Sequence, residues 1–220
     1  MVRDKVRIRF RKNGDLRLVS HHDLMRCFER MLRRAGLPFR STSGFHPKPR
    51  LVFALSLPLG VIGHEEVVEL ELDAELSPEE VHERLARQAP PGLEILQVRR
   101  IEPGRTAQVR SVSYRLPLPP ERAEGLPSKL TEVLNAAECW VQRTRPTLRR
   151  VNIRPFLRDL RLRDGVLEMD LWVTSQGTAR ADDVLALLGL DDLPTAGAVL
   201  ERTRLELHDE ETTEPLRGNA

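Results

Sequence analysis

The chain has 220 residues, of which 40% are hydrophobic and 31% charged, which is the composition of a globular protein with a substantial core. Aromatic residues make up only 4%, no apolar run reaches the roughly 18 residues of a membrane span, and Cys27 and Cys139 are isolated from each other. We therefore expect a cytoplasmic protein with an aliphatic core, without a disulfide framework and without a metal site.

The charge is unevenly distributed although the formal net charge is only +2. Residues 1–50 hold fourteen Lys or Arg against four Asp or Glu, and only four of the 35 cationic residues in the chain are lysines. Guanidinium groups suit phosphate and carboxylate because their planar fork donates two parallel hydrogen bonds. The clustering favours an anionic ligand for this part of the chain.

The first half of the chain predicts the element order βαββαβ. KVRIRFR alternates apolar and charged side chains, as a half-buried strand does, whereas Leu24, Phe28 and Met31 recur on one helical face. The expected elements are a strand at 5–11, a helix at 21–35, a hairpin of strands at 51–57 and 67–73, a helix at 77–89 and a strand at 93–101.

The second half predicts the same order after a Pro- and Gly-containing connector at 101–108. Its expected elements are a strand at 109–118, a helix at about 121–137, a short strand in CWVQR, a hairpin that turns at Asp164 and Gly165, a helix at 179–188 and a strand at 199–207. We predict an α+β protein of two ferredoxin-like (βαββαβ) halves, 1–100 and 109–208, related by internal duplication, with a disordered acidic tail at 209–220.

The charged face of the first strand has a structural interpretation. In a ferredoxin-like sheet the first and third strands are antiparallel neighbours, so cross-strand ion pairs are expected. The expected pairs join Arg7, Arg9 and Arg11 to Glu69, Glu71 and Asp73. No aromatic residue interrupts these charges, so this face lacks the stacking platform of a single-strand RNA-binding sheet.

SHHD, at residues 20–23, is explained by the start of a helix. Ser20 and Asp23 match a variant capping box, in which each side chain accepts a backbone N–H of the first turn. His21 and His22 are adjacent, so they diverge on a helix, and a metal site would need one of them with Asp23 and a distant residue such as His46. An acid–base site of His22 or His46 with Asp23 remains a second hypothesis, although the chain contains no complete catalytic motif.

A basic surface is the stronger functional prediction. Arg26, Arg30, Arg33 and Arg34 form a stripe on the first helix, and the loops RSTSGFHPKPR (40–50) and RTRPTLRR (143–150) occupy matching positions in the two halves. The loops could frame one cleft for a polyanion, with Phe45 either stacking on a base or anchoring its loop to the core. The candidate ligand-binding residues are Arg26, Arg30, Arg33, Phe45, His46, Lys48, Arg50, Arg149 and Arg154.

The stretch SHHDLMRCFERMLRRAGLPFRSTSGFHPKPRLVFALSLPLGV resembles the signature of the radical-SAM-linked protein family, a bacterial domain of unknown function. VNIRPFL resembles the second short motif of that family, in which Asp would stand at Asn152. The resemblance covers about residues 5–205 and implies a radical SAM protein as partner. It also implies that the iron–sulfur cluster and SAM belong to that partner, because this chain lacks the cysteines of a cluster.

Three functions are consistent with these observations. The first is an accessory protein that binds tRNA or rRNA as the substrate of a radical SAM enzyme. The second is an enzyme in its own right, acting on RNA or a small anionic substrate with an Asp/His site. The third is a module that only docks a protein, with the arginine stripe against an acidic face of the partner.

Overall fold

The computed structural model describes residues 4–43, 45, 47–144 and 147–210 and shows an α+β protein built on one large mixed sheet. The helices are α1 (His21–Arg34), α2 (Pro78–Ala86), α3 (Pro120–Ala123), α4 (Leu126–Asn135) and α5 (Ala181–Leu188). The strands are β1 (Asp4–Lys12), β2 (Leu51–Phe53), β3 (Ile62–Leu72), β4 (Leu93–Ile101), β5 (Val109–Pro117), β6 (Trp140–Arg143), β7 (Arg149–Asn152), β8 (Leu157–Arg163), β9 (Val166–Thr174), β10 (Gly177–Thr178) and β11 (Glu201–Leu207). Among the described residues, no helix is long and apolar enough to cross a membrane.

The nine-stranded sheet has the order β10-β9-β5-β11-β3-β1-β4, with β2 also paired to β3 and β8 to β9. Within the sheet, the strands of the first half therefore lie in the order β2-β3-β1-β4. The strands of the second half lie in the corresponding order β8-β9-β5-β11. The parallel pairing of β11 with β3 joins the two groups through Glu201 beside Ile62 and Arg202 beside Gly63.

Two elements of the second half differ from the sequence prediction. The segment CWVQR does form a strand, β6, but it pairs with β7 in a separate two-stranded ribbon instead of joining the main sheet. The single helix expected at about 121–137 is two helices, because Gly125 between α3 and α4 adopts a left-handed backbone with φ 70°. The hairpin at Asp164 and Gly165 forms as predicted, between β8 and β9.

The buried apolar side chains form two clusters, one around β1, α1 and α2 and the other mainly within residues 107–207. The expectation of an aliphatic core is wrong for both clusters, because the second contains Tyr114 and Phe156 and the first contains a group of phenylalanines. Phe10, Phe28 and Phe53 meet edge to face with ring centroids 5.0, 5.5 and 6.0 Å apart. This arrangement of rings is favourable because the positive edge of one faces the negative face of another.

The charged face of β1 pairs only in part as predicted. Arg7 lies opposite Glu69 in register and donates to it at 2.8 Å, which confirms that pair. The prediction is wrong for Arg9 and Arg11: Arg9 lies 3.8 Å from Glu65 and contacts Glu210, and Arg11 pairs with Glu94 of β4 at 2.8 Å. Segments that are distant in sequence therefore supply the counter-charges for β1.

Candidate anion-binding site

The start of α1 is a side-chain cap. The Ser20 hydroxyl accepts from the Asp23 backbone N–H at 3.2 Å and donates to the Asp23 carboxylate at 2.7 Å. This hydrogen bond from Ser20 and the nearby Arg26 guanidinium, 3.3 Å away, hold the pKa of Asp23 below its ordinary value. A carboxylate with a lowered pKa is a weak proton acceptor, so the geometry favours a capping role over a general base.

The histidines of SHHD diverge. The His21 ring packs against Phe53 with centroids 5.1 Å apart, and burial, His22 and Lys12 lower its pKa. His22 is exposed, with its ring 6.3 Å from that of His21. His46, the third member of the predicted acid–base site, lies outside the described residues. Within the part of the chain that is described, no group of three His, Cys, Asp or Glu side chains is placed to hold a metal ion.

Four exposed arginines define what we call the arginine face of α1: Arg26, Arg30, Arg33 and Arg34. This face is opposite the buried side of the helix, which packs Leu24, Phe28, Met31 and Leu32 into the core. Among the described residues, neither Arg30 nor Arg34 forms an ion pair, and Arg26 has only the exposed contact with Asp23. The positive charge of the helix is therefore left mostly uncompensated and open to solvent.

The loop at residues 40–50 is held closed at its base by backbone hydrogen bonds. Thr42 donates to the Lys48 carbonyl at 2.8 Å, and the Lys48 N–H donates to the Thr42 hydroxyl at 3.1 Å. Arg50 donates its backbone N–H to Arg40 at 2.9 Å. These bonds, together with the restricted backbone of Pro47 and Pro49, fix how the loop displays Lys48 and Arg50.

Arg33 connects this loop to the arginine face. Its guanidinium donates to the Pro47 carbonyl at 3.3 Å and lies over the Phe39 ring, 5.4 Å from the centroid. Phe45 is fully exposed, so the anchoring interpretation of this side chain is wrong and its ring is open to a ligand. The arginine face and the loop form one continuous surface, which we call the α1–loop surface.

The second basic loop forms the tip of the β6–β7 ribbon, and its arginines have two different roles. Arg149 and Arg150 are exposed, and Arg150 stacks on Trp140 of the neighbouring strand at 5.2 Å. Arg143 instead contacts the Asp183 carboxylate, which ties the ribbon to α5. Arg145 and Pro146 lie outside the described residues.

Arg154 is placed differently from the other candidates. It is half-buried and donates to the backbone carbonyls of Leu157, at 3.2 Å, and Leu134. Its guanidinium therefore holds the turn before β8 against the end of α4.

Trp140 was missed by sequence reasoning as a candidate. It is a half-exposed aromatic side chain next to exposed arginines, a combination that binds nucleic-acid bases and phosphates. The alternation within CWVQR contains the signal, because Trp140 and Gln142 fall on one face of the strand and Val141 on the other.

The fold and this surface define an α+β protein with a large mixed sheet and an arginine-rich, solvent-open helix. Residues 5–181 match the family described as "Uncharacterized protein conserved in bacteria (DUF2344)", and the chain belongs to this bacterial family. No protein with a curated description matches the chain. A crystal structure described as that of an unknown protein from Galdieria sulphuraria is similar over 93% of this chain and 98% of its own, with 13% identity and a TM-score of 0.28.

Proposed function

We propose that this protein is a cytoplasmic accessory protein that binds tRNA or rRNA on behalf of a radical SAM enzyme. The observation that carries the RNA-binding part is the α1–loop surface, on which Arg30 and Arg34 have no ion-pair partner among the described residues. Lys48 and Phe45 add an exposed cation and an exposed ring beside them. A surface that combines guanidinium groups with an open aromatic ring suits phosphates and unstacked bases.

The dimensions of α1 fit an extended polyanion. Arg26 and Arg34 are eight residues apart, which corresponds to about 12 Å along a helix. A nucleic-acid backbone presents several phosphates over such a length. Arg30 lies between them on the same face, so the helix can contact successive phosphates without bending the ligand.

The β6–β7 ribbon supports a second contact with the same ligand. The two halves share the strand order described above, and this order supports an internal duplication in which the loop at 40–50 and the ribbon are counterparts. The ribbon carries Arg149, Arg150 and Trp140, a set of cations and one aromatic ring like Lys48, Arg50 and Phe45 on the loop. In this proposal the two elements frame one basic cleft.

The partnership with a radical SAM enzyme rests on the motif resemblance of residues 20–61 and 151–157. In this proposal the iron–sulfur cluster and SAM are held by the partner, and this chain supplies the substrate. Its own chemistry is then limited to binding and orienting RNA, which needs neither an acid nor a base.

The test is charge reversal on the α1–loop surface. The double variant Arg30→Glu/Arg50→Glu should weaken binding to bulk cellular RNA by roughly 100-fold or more, because each change replaces an attraction to phosphate with a repulsion. Wild-type affinity should fall steeply with salt. The measurement is fluorescence anisotropy of labelled RNA over a range of salt concentrations.

Arg163→Glu is the matched control, because Arg163 is an exposed arginine beside the β8–β9 turn, outside the α1–loop surface and the ribbon. This variant should bind nearly as well as the wild type. Absence of RNA binding by the wild type at low salt would refute the RNA-binding proposal. Co-purification with the radical SAM partner that survives nuclease treatment and is lost in Arg30→Glu/Arg50→Glu would then show that the surface docks a protein.

A further inference from the structure

Three arginines converge on the face of the sheet opposite α1. Val6, Ile8 and Phe10 of β1 are buried in the cluster with α1, so the alternating Arg7 and Arg9 point to the other face. Arg99 of β4 lies directly opposite Arg7 in the register of the two strands.

Like charges that face each other across a strand pair repel, so this arrangement requires an anion. Glu69 lies on the other side of Arg7, but its carboxylate is shared. The Glu69 carboxylate forms ion pairs with the Arg7 guanidinium at 2.8 Å and the Lys5 ammonium at 2.7 Å. It also accepts a hydrogen bond from the backbone N–H of Ala107 at 2.9 Å. Glu65, half-exposed and 3.8 Å from Arg9, is the other β3 carboxylate beside these arginines. Two carboxylates facing Lys5 and the three arginines leave an excess of positive charge.

Asp209 and Glu210 supply the missing negative charge. Asp209 accepts two parallel hydrogen bonds from Arg7, at 2.8 and 2.9 Å. Glu210 contacts all three arginines, at 3.1 Å from Arg7 and closer to Arg9 and Arg99. These two residues were expected to belong to a disordered tail, and that expectation is wrong for them because they are bound.

The contacts have the geometry of a bound oxyanion. The paired hydrogen bonds from Arg7 are the fork arrangement in which a guanidinium also binds a phosphate. The guanidinium groups of all three arginines contact the Glu210 carboxylate, as they would contact the oxygens of a bound anion. Asp209 and Glu210 remain partly exposed, with 29% and 16% of their side chains accessible, whereas Arg7 beneath them is fully buried. A competing anion can therefore approach from solvent.

We propose that Arg7, Arg9 and Arg99 form a second anion site, which takes a phosphoryl group when the Asp209–Glu210 segment leaves it. The segment acts as an intramolecular competitor. This site lies on the opposite face of the sheet from α1 and does not require the α1–loop surface to bind RNA. The phosphoryl group belongs either to a nucleic-acid backbone or to a free phosphate.

The test is to neutralise the competitor without altering the arginines. Asp209→Asn/Glu210→Gln should bind a short labelled oligoribonucleotide, inorganic phosphate or both at least about tenfold more tightly than the wild type, because the site is no longer occupied internally. Anisotropy measures the oligonucleotide, and NMR chemical-shift titration measures inorganic phosphate. Adding Arg9→Gln/Arg99→Gln to this variant should remove the gain.

The matched control is Glu124→Gln/Glu132→Gln, which removes two exposed acidic charges elsewhere on the molecule. An equal gain in this control would refute the site, since net charge alone would explain it. No gain for either ligand would show that the segment is a fixed part of the fold. If the double variant does not fold, Glu210→Gln alone retains the Arg7–Asp209 pair and should still bind more tightly than the wild type.

The two ligand arms separate the sources of the phosphoryl group. A gain for the oligonucleotide alone identifies a nucleic-acid backbone, and a gain for inorganic phosphate alone identifies a small phosphorylated ligand. The outcome is independent of the RNA-binding proposal. Loss of RNA binding in Arg30→Glu/Arg50→Glu without any gain in Glu210→Gln would support the first proposal and refute this one.

Discussion

At the scale of single residues, Asp23 belongs to a motif that suggests acid–base catalysis, but its contacts are those of a residue that stabilises the start of α1. Its carboxylate accepts from Ser20, faces Arg26 and lies in the first turn of α1, where a negative charge stabilises the helix dipole. These contacts lower its pKa, with the Ser20 hydrogen bond as the largest cause. A group whose pKa is lowered by folding stabilises the protein above its unfolded pKa and loses that contribution as pH falls through the folded value.

Asp23→Asn tests this role through pH. Above the ordinary aspartate pKa of about 4, the variant should melt at a modestly lower temperature than the wild type. The difference should shrink as pH falls through the lowered pKa, because the wild-type carboxylate is then protonated. Melting is measured by circular dichroism over a pH series, and RNA binding at neutral pH should not weaken, because the change removes a negative charge beside Arg26. A variant with unchanged melting that abolishes a measured activity would support the acid–base hypothesis instead.

At the scale of elements, one side-chain amide helps to hold the β6–β7 ribbon in place, in addition to the contact between Arg143 and Asp183. The Asn152 side-chain oxygen accepts from the backbone N–H groups of Cys139, at 2.9 Å, and Arg154, at 3.1 Å. It thereby connects the start of the ribbon to the turn before β8. An aspartate at this position would offer the same acceptor oxygen, so the geometry suits either Asn or Asp here.

Replacing Asn152 tests this account of the ribbon. Asn152→Ala should lower the free energy of unfolding by about 1–3 kcal/mol, because it leaves two part-buried N–H groups without an acceptor. Asn152→Asp should retain most of the wild-type stability. Chemical denaturation followed by circular dichroism measures both. Equal losses in the two variants would mean that the amide NH₂ group, rather than the acceptor oxygen, stabilises the ribbon.

At the scale of the whole molecule, a buried ion pair lies where β11 meets β3. Arg202 donates to Glu66 at 2.8 Å and to the Tyr114 hydroxyl at 3.4 Å, and all three side chains are buried. Burial alone would lower the pKa of Arg202, but Glu66 and Tyr114 raise it above its ordinary value. The cluster includes Lys12, which is fully buried and donates to the Val19 carbonyl at 2.9 Å.

Glu66→Ala should lower the free energy of unfolding by about 3–5 kcal/mol, because Arg202 would keep its charge in a buried site without a carboxylate partner. Glu94→Ala is the matched control, since it removes an exposed partner of Arg11 and should cost at most about 1 kcal/mol. Urea denaturation gives both values. Similar losses in the two variants would mean that water reaches the junction and screens the buried pair.

The sequence by itself determined the elements whose causes are local. The start and end of α1 followed from Ser20 and Gly36, and the β8–β9 turn followed from Asp164 and Gly165, which adopt φ 50° and 74°. The arginine face of α1 was also predictable, because helical spacing fixes which side chains share a face.

Only the tertiary structure decided which distant segments meet. Val141 packs the β6–β7 ribbon into the second core cluster and Arg143 ties the ribbon to α5. The strand β11 joins β3, more than 130 residues away in the chain. Asp209 and Glu210 reach Arg7 across some 200 residues. Such contacts depend on the packing of whole elements and on the entropy of bringing remote segments together, neither of which leaves a local pattern in the sequence. A charged strand read alone therefore could not show that the acidic residues after the last strand neutralise it.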